Sequence, residues 1–382
     1  MRPPHLKNRS ALLDCIRAVA IIMVIGFHVA LEYPRADLDT VALFLRRYGL
    51  LGVAIFFPLS GYLISSFLLT RDYPGFLKTF FLRRFFRIVP LYFVAVTVFA
   101  LAMIVTRTDL HLLDRMWVPY SFLTAWIIFF QGEATVPYTI TWSLSVEEFA
   151  YIVFGLVTWF SRRSMPAFLI AVSILPILLR WYLYWESANG NHTPAIHYFP
   201  LARIDAIATG GVLAWLMVRK TPLKYLLLGF GGLTLLSWVL VQQTPVLNRT
   251  FLYSLTTFGT CFCIALFDGG RWRMYSNAVT EVIANIGFYS YFTYLFHYFN
   301  VYALFAVVHK LFATPPSFWI MTLAALVLTH VQAMISYKIF EGPMMRFGRK
   351  LEGRKETGGK KAAGMVPVPM ATGADVSKPP ET

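Results

Sequence analysis

Apolar stretches of about 20 residues recur along almost the whole chain, and no other feature limits its fold so tightly. A helix of that length spans a hydrocarbon core of roughly 30 Å, and only a segment that satisfies its own backbone polar groups can cross such a core. The stretches lie near residues 12–31, 49–69, 88–106, 143–161, 165–185, 201–218, 223–241, 251–268, 286–308 and 317–340. They predict an all-α protein, a polytopic transmembrane helical bundle of ten spans. A soluble domain has no use for a chain that is 57% hydrophobic and 14% charged.

The net charge of +15 does not indicate nucleic acid, because the lysines and arginines cluster in alternate connections. Arg71, Lys78, Arg83, Arg84 and Arg87 form one group, Arg162 and Arg163 a second, Arg219, Lys220 and Lys224 a third, and Arg271 with Arg273 a fourth. This is the positive-inside pattern, and with an even number of spans it puts both termini in the cytoplasm. The first span is read as a retained helix, since Asp14 and Arg17 interrupt the smooth apolar core that a cleaved leader needs. Residues 1–345 are expected to form the membrane domain, and residues 346–382 a basic, disordered tail near anionic headgroups. Cys15, Cys261 and Cys263 lie in spans without zinc or disulfide spacing, and no metal site is expected. Two outer connections, 107–141 and 186–200 with His192 and His197, are long enough to shape an acceptor entrance.

Ionisable side chains inside spans carry most of the functional information, because each needs a partner, a pore or a task. Arg17 and His28 are eleven residues apart, about 16.5 Å of rise and within about 20° of the same helical face. That line joins a cation suited to phosphate with an imidazole able to accept a hydroxyl proton. Packing and snorkelling would account for the same two residues equally well. The fourth span opens with Trp142, Ser143, Leu144, Ser145, Val146, Glu147 and Glu148, which puts Glu147 at the depth of His28, where a carboxylate could pair with the imidazole. Arg203 and Asp205 open the sixth span, and Glu341 ends the tenth. Ser290, Tyr294 and His297 share one stripe of the ninth, a pattern that interhelical hydrogen bonding would also produce. Between the second and third spans, Phe80-Phe81-Leu82-Arg83-Arg84-Phe85-Phe86-Arg87-Ile88-Val89-Pro90 mixes arginines with phenylalanines. It reads either as a cytoplasmic anchor or as a site that forks onto phosphates and stacks on adenine.

Taken in order, these segments resemble the membrane-bound acyltransferase-3 family, whose members O-acylate glycans and related acceptors. The resemblance runs from about Leu12 to Arg346. Leu13-Asp14-Cys15-Ile16-Arg17 with His28 is similar to the family's arginine, ten residues, histidine signature. Phe56-Phe57-Pro58-Leu59-Ser60-Gly61, Arg84-Phe85-Phe86-Arg87 and Thr141-Trp142-Ser143-Leu144-Ser145-Val146-Glu147-Glu148 follow in order. Arg203-Ile204-Asp205-Ala206, Ser290 to Tyr294 with His297, and Glu341-Gly342-Pro343 complete the match. Pro58, Phe149 and Gly342 depart from the family's usual residues. The resemblance implies His28 and Glu147 as catalytic and Arg17, Arg84 and Arg87 as donor-binding. Asp14, Ser60, Trp142, Ser143, Arg203, Asp205, Ser290, Tyr294, His297 and Glu341 are implied as supporting residues.

The expected reaction moves an acyl group, by default acetyl, from cytoplasmic acyl-CoA to a hydroxyl of a carbohydrate or glycolipid acceptor at a bacterial inner membrane. Acyl-CoA is a co-substrate, no tightly bound cofactor is expected, and membrane lipids are the remaining partners. His28 would take the hydroxyl proton while Glu147 stabilises the imidazolium, or His28 would itself carry the acyl group and give ping-pong kinetics. The extracytoplasmic hydrolase-like domain that some relatives carry after the membrane part is not expected here, so transfer would be completed by the membrane domain or by a separate partner. A secondary transporter or flippase with a buried proton relay would use the same Arg, His and Glu residues. So would a scaffold in which they serve packing alone.

Overall fold

A computed structural model describes residues 10–71, 73–190, 195–269, 277–312 and 315–352. Its α-helices are α1 (Ala11–Leu31), α2 (Thr40–Tyr48), α3 (Leu51–Thr70), α4 (Phe76–Thr106), α5 (Trp117–Tyr120), α6 (Thr124–Gln131), α7 (Trp142–Ser161) and α8 (Met165–Ala188). They continue as α9 (Ile204–Val218), α10 (Leu223–Val241), α11 (Pro245–Gly269), α12 (Ala278–Phe288), α13 (Ser290–Leu311), α14 (Phe318–Ser336) and α15 (Gly342–Leu351). Among the described residues, eight helical stretches are long and apolar enough to cross a membrane. One of them, Thr139–Ala188, holds both α7 and α8, separated by the one-turn segment Arg162–Ser164. The shorter apolar α9 lies among them, and large apolar side chains such as Leu178, Leu228 and Leu323 remain exposed on the outer helices. The molecule is a multi-pass helical membrane protein whose solvent on those faces is lipid.

Three boundaries differ from expectation. Helix α4 starts at Phe76 rather than near residue 88, so the Arg83–Arg87 cluster rides on a helix instead of a loop. The expected span 286–308 is broken at Tyr289, where α12 ends and α13 begins. Arg346 to Leu351, assigned above to a disordered tail, form the body of α15. That helix packs on α4, and Arg83 donates two hydrogen bonds of 2.8 Å to Glu352 at its end. His192, Arg271, Arg273 and the tail from residue 353 lie outside the described residues.

Segment 107–141 is also not an open loop. It folds into α5 and α6, whose Val118, Ala125 and Ile128 are buried in the main core. The Tyr92 hydroxyl donates to the Pro119 carbonyl at 2.7 Å, and Ser145 Oγ donates to that of Phe122. These two hydroxyls thus find the acceptors that an apolar surround demands.

Helix α3 packs against both α1 and α9. The α3–α9 crossing is closed from both sides by glycine. A Cβ on Gly61 would lie 1.8 Å from the Ile207 carbonyl oxygen, and one on Gly210 would lie 2.0 Å from that of Pro58. Small residues permit this backbone approach. Gly61→Ala is therefore expected to lower stability by about 1–3 kcal/mol or more through overpacking. Gly232→Ala, where an added Cβ meets nothing within 4 Å, should stabilise by about 0.5–1 kcal/mol. Thermal unfolding midpoints in detergent check both.

Candidate active site

Helices α1, α3, α4, α7 and α13 enclose a narrow cleft of about 100 Å³. Arg17, Arg84 and Arg87 line it together with Ser60, Ser143, Glu147, Tyr151, Ser290 and Tyr294. The phosphate-binding set and the carboxylate, picked out on three separated sequence segments, thus share one cavity. Arg17 lies beside Asp14 in a buried ion pair one helical turn apart. The Arg84 guanidinium lies 5.0 Å from the centre of the Tyr151 ring, a cation–π distance.

Glu147 faces the cleft, as expected, but it does not pair with His28. Its Oε2 accepts from Ser60 Oγ at 3.1 Å and from the Tyr151 hydroxyl at 2.5 Å. Tyr151 was not singled out above, although it follows Glu147 by four residues and so faces the same side of α7.

His28 meets His297 instead. His297 Nδ1 faces the carbonyl oxygens of Tyr294 at 2.7 Å and Thr293 at 3.2 Å. Two acceptors there hold the ring proton on Nδ1 and leave Nε2 with the lone pair. That Nε2 lies 3.2 Å from His28 Nδ1, which also lies 2.9 Å from the Val24 carbonyl oxygen. With acceptors on both sides of its Nδ1, neutral His28 carries its proton there and keeps a basic lone pair on Nε2. The cleft connects to this pair through one turn of α13. Ser143 Oγ donates to the Tyr294 hydroxyl at 2.8 Å, which donates to the Ile140 carbonyl at 2.6 Å.

The remaining expected residues lie elsewhere. Asp205 receives a two-pronged contact from Arg180, at 3.2 and 3.0 Å. Arg203 sits 3.7 Å from the centre of the Tyr253 ring, with the Trp142 ring at 6.0 Å. Glu341 accepts from Ser336 Oγ at 3.2 Å within the π-helical turn Tyr337–Glu341. None of these lines the cleft. Arg180 escaped the sequence reading, although an arginine in the middle of an apolar stretch is itself a signal.

Residues 11–334 match the family described as the acyltransferase domain, acyltransferase-3 type. The chain belongs to the acyltransferase-3 family. A candidate O-acetyltransferase of Staphylococcus aureus strain COL is 26% identical over 369 residues, covering 88% of this chain and 58% of the relative. The peptidoglycan O-acetyltransferase OatA of Listeria monocytogenes is 25% identical over 367 residues, with 88% and 56% covered. The O-acetyltransferase OatA of Staphylococcus aureus strain NCTC 8325 is 24% identical over 366 residues, with 88% and 57% covered. The chain therefore spans under three fifths of the length of these curated relatives. No solved structure matches it.

Outside the spans and among the described residues, one histidine of this acyltransferase-3 chain carries a strong pH signature. His197, in the turn Ile196–Tyr198 between α8 and α9, hydrogen bonds through Nδ1 to the Tyr253 hydroxyl at 2.5 Å and lies against the Trp142 ring. Burial, with the nearby Arg203 cation adding to it, pushes its pKa from the usual 6.5 down to about 3. Above pH 6.5 the ring is neutral in folded and unfolded chains alike and contributes no pH dependence. Below that, the unfolded chain takes up a proton that the folded one refuses. Stability should then fall by up to about 1.4 kcal/mol per pH unit until the folded pKa is reached. His197→Gln should flatten the pH 4–6.5 limb of the unfolding midpoint relative to wild type; parallel curves would refute the assignment.

Proposed function

We propose that this protein is a membrane O-acetyltransferase that moves an acetyl group from cytoplasmic acetyl-CoA to a hydroxyl of an envelope glycan. The observation that carries this reading is the cleft that groups Arg17, Arg84 and Arg87 and whose lining Tyr294 lies one helical turn from His297, the partner of His28. Guanidinium groups fork onto phosphate oxygens and stack on purine rings, which suits them to the nucleotide end of the donor. The thioester would then reach along α1 toward His28, and Arg17 and His28 are eleven residues apart, about 16.5 Å along that helix.

In the proposed reaction, His28 Nε2 takes the acceptor hydroxyl proton as the hydroxyl oxygen bonds to the thioester carbonyl carbon. The carbon–sulfur bond breaks, and the departing coenzyme A thiolate takes that proton from the imidazolium. His297 holds His28 in the required tautomer. Glu147 serves the donor end, where with Ser60 it fixes Tyr151 beneath Arg84. The name of the Listeria relative favours peptidoglycan among glycan acceptors, and a bacterial plasma membrane is the corresponding location. Purified protein incubated with acetyl-CoA and an envelope-glycan extract should release free thiol only when the extract is present and should yield an acetylated, alkali-labile ester. Movement of the glycan across vesicles without thiol release would instead support transport.

A further inference from the structure

A space larger than the arginine cleft lies elsewhere between the helices. Helices α8, α9, α10 and α11 leave a groove of about 600 Å³, lined by side chains that include Ile174, Val212, Leu216, Tyr225, Leu233 and Phe258. It shares no residue with the cleft, and no acidic, basic, histidine or cysteine side chain lines it. Hydroxyls of Ser173, Thr209, Thr221, Tyr225 and Ser237 are the only polar side-chain groups in its wall. Within a membrane-spanning bundle, water finds few polar partners in such a space, and hydrocarbon is the solvent at hand.

One end of the groove is charged. Thr221 and Tyr225 line it there, at the turn joining α9 to α10, and Arg219, Lys220 and Lys224 are exposed around them. The Lys224 ammonium lies 5.0 Å from the centre of the Tyr225 ring, so a groove-lining residue itself carries one of the cations. Lys220 adopts a left-handed backbone at φ 57°, a conformation that glycine accepts at far less cost. Three cations within six residues, beside the mouth of an apolar groove, complement a ligand with an anionic head and hydrocarbon chains.

We infer that this groove is a binding site for one anionic phospholipid, with its phosphate at Arg219, Lys220 and Lys224 and its acyl chains between α8 and α11. The lipid seals the α10–α11 pair against the rest of the bundle, a place that detergent fills less well. Gly229 allows a direct test. It lines the groove, and a Cβ added there meets nothing within 4 Å, so the backbone accepts a side chain and Gly229→Trp directs an indole into the space.

Native mass spectrometry of the full chain, titrated with phosphatidylglycerol or with phosphatidylcholine of matched chains, reads the site. Wild type should retain a single saturable phosphatidylglycerol adduct, at least about fivefold tighter than phosphatidylcholine, the factor expected of even one basic residue at a headgroup. Gly229→Trp should abolish the saturable adduct of both lipids. Lys220→Gly combined with Lys224→Gln should cut the phosphatidylglycerol preference severalfold, leaving Arg219 alone at the headgroup. Lys220→Gly relaxes the left-handed residue, so its unfolding midpoint in lipid-free detergent should not fall, which separates lost lipid from lost fold. Equal affinity of wild type for the two lipids would overturn the proposal. So would undiminished lipid selectivity in the lysine variant, a reading that holds even if the tryptophan variant does not fold.

Discussion

His28→Ala is expected to lower acyl transfer by about 10²–10⁴-fold, the range that a positioned general base supplies, while acetyl-CoA still binds. The separation follows from geometry, because the arginines that would hold the donor line the cleft, whereas His28 stands beyond it against α13. His297 is a positioning residue in this account. Its Nε2 accepts from His28 Nδ1 across 3.2 Å, and it can do so only because the backbone of α13 holds its own proton on Nδ1. His297→Gln keeps a side chain able to accept through its carbonyl oxygen and should retain more activity than His297→Leu, which leaves His28 Nδ1 with the Val24 carbonyl alone. A purely structural role for His297 would move the unfolding midpoint but would leave the pH profile of the glutamine variant unchanged.

The second large effect concerns folding. Arg180→Leu is expected to destabilise by about 3–5 kcal/mol, because it strands a buried carboxylate. Arg180 has no solvent exposure and Asp205 almost none. The guanidinium donates from Nε to the Thr250 carbonyl at 2.9 Å, from Nη1 to the Ala202 carbonyl at 2.5 Å and from Nη2 to Ser254 Oγ at 3.1 Å. With the two contacts to Asp205, every one of its five N–H groups has an acceptor. One side chain thereby ties α8, α9 and the start of α11 together. Removing both charges in Arg180→Leu with Asp205→Leu should recover most of the loss, since a buried pair replaced by apolar residues is often near neutral. A double-mutant cycle on unfolding midpoints measures the coupling; additive losses would show that the pair does not act as a unit.

Helical spans were readable because hydrophobic length is a local property, and Arg17, Ser60, Glu147 and Tyr294 were on expected spans before any packing was known, whereas Arg84 and Arg87 were placed in a connection that is in fact the first part of α4. Which side chains meet across helices was not readable in the same way. The partner of His28 depends on the rotation of α13 about its axis and on the break at Tyr289, and neither leaves a mark in residue spacing. Glu147 and His28 were matched by depth alone, which ignores that Tyr151 on the same helix reaches the carboxylate first. Segment 107–141 looked like a loop because α5 and α6 are only 4 and 8 residues long, too short to express a hydrophobic period. Arg180 and Asp205 obeyed the rule that buried charges come in pairs, but that pair had to be sought across 25 residues rather than along one helix.

The central claim is that the arginines of the cleft read the nucleotide end of the donor while His28 acts on the thioester. The most direct measurement compares acceptor-dependent acetyl transfer from acetyl-CoA and from S-acetylpantetheine, which lacks the phosphates and adenosine, in wild type, Arg84→Ala with Arg87→Ala, and His28→Ala. The account predicts a strong wild-type preference for acetyl-CoA that collapses in the arginine variant, and loss of transfer from both donors in the histidine variant. Equal use of the two donors by wild type, or a preference that survives removal of both arginines, would contradict it.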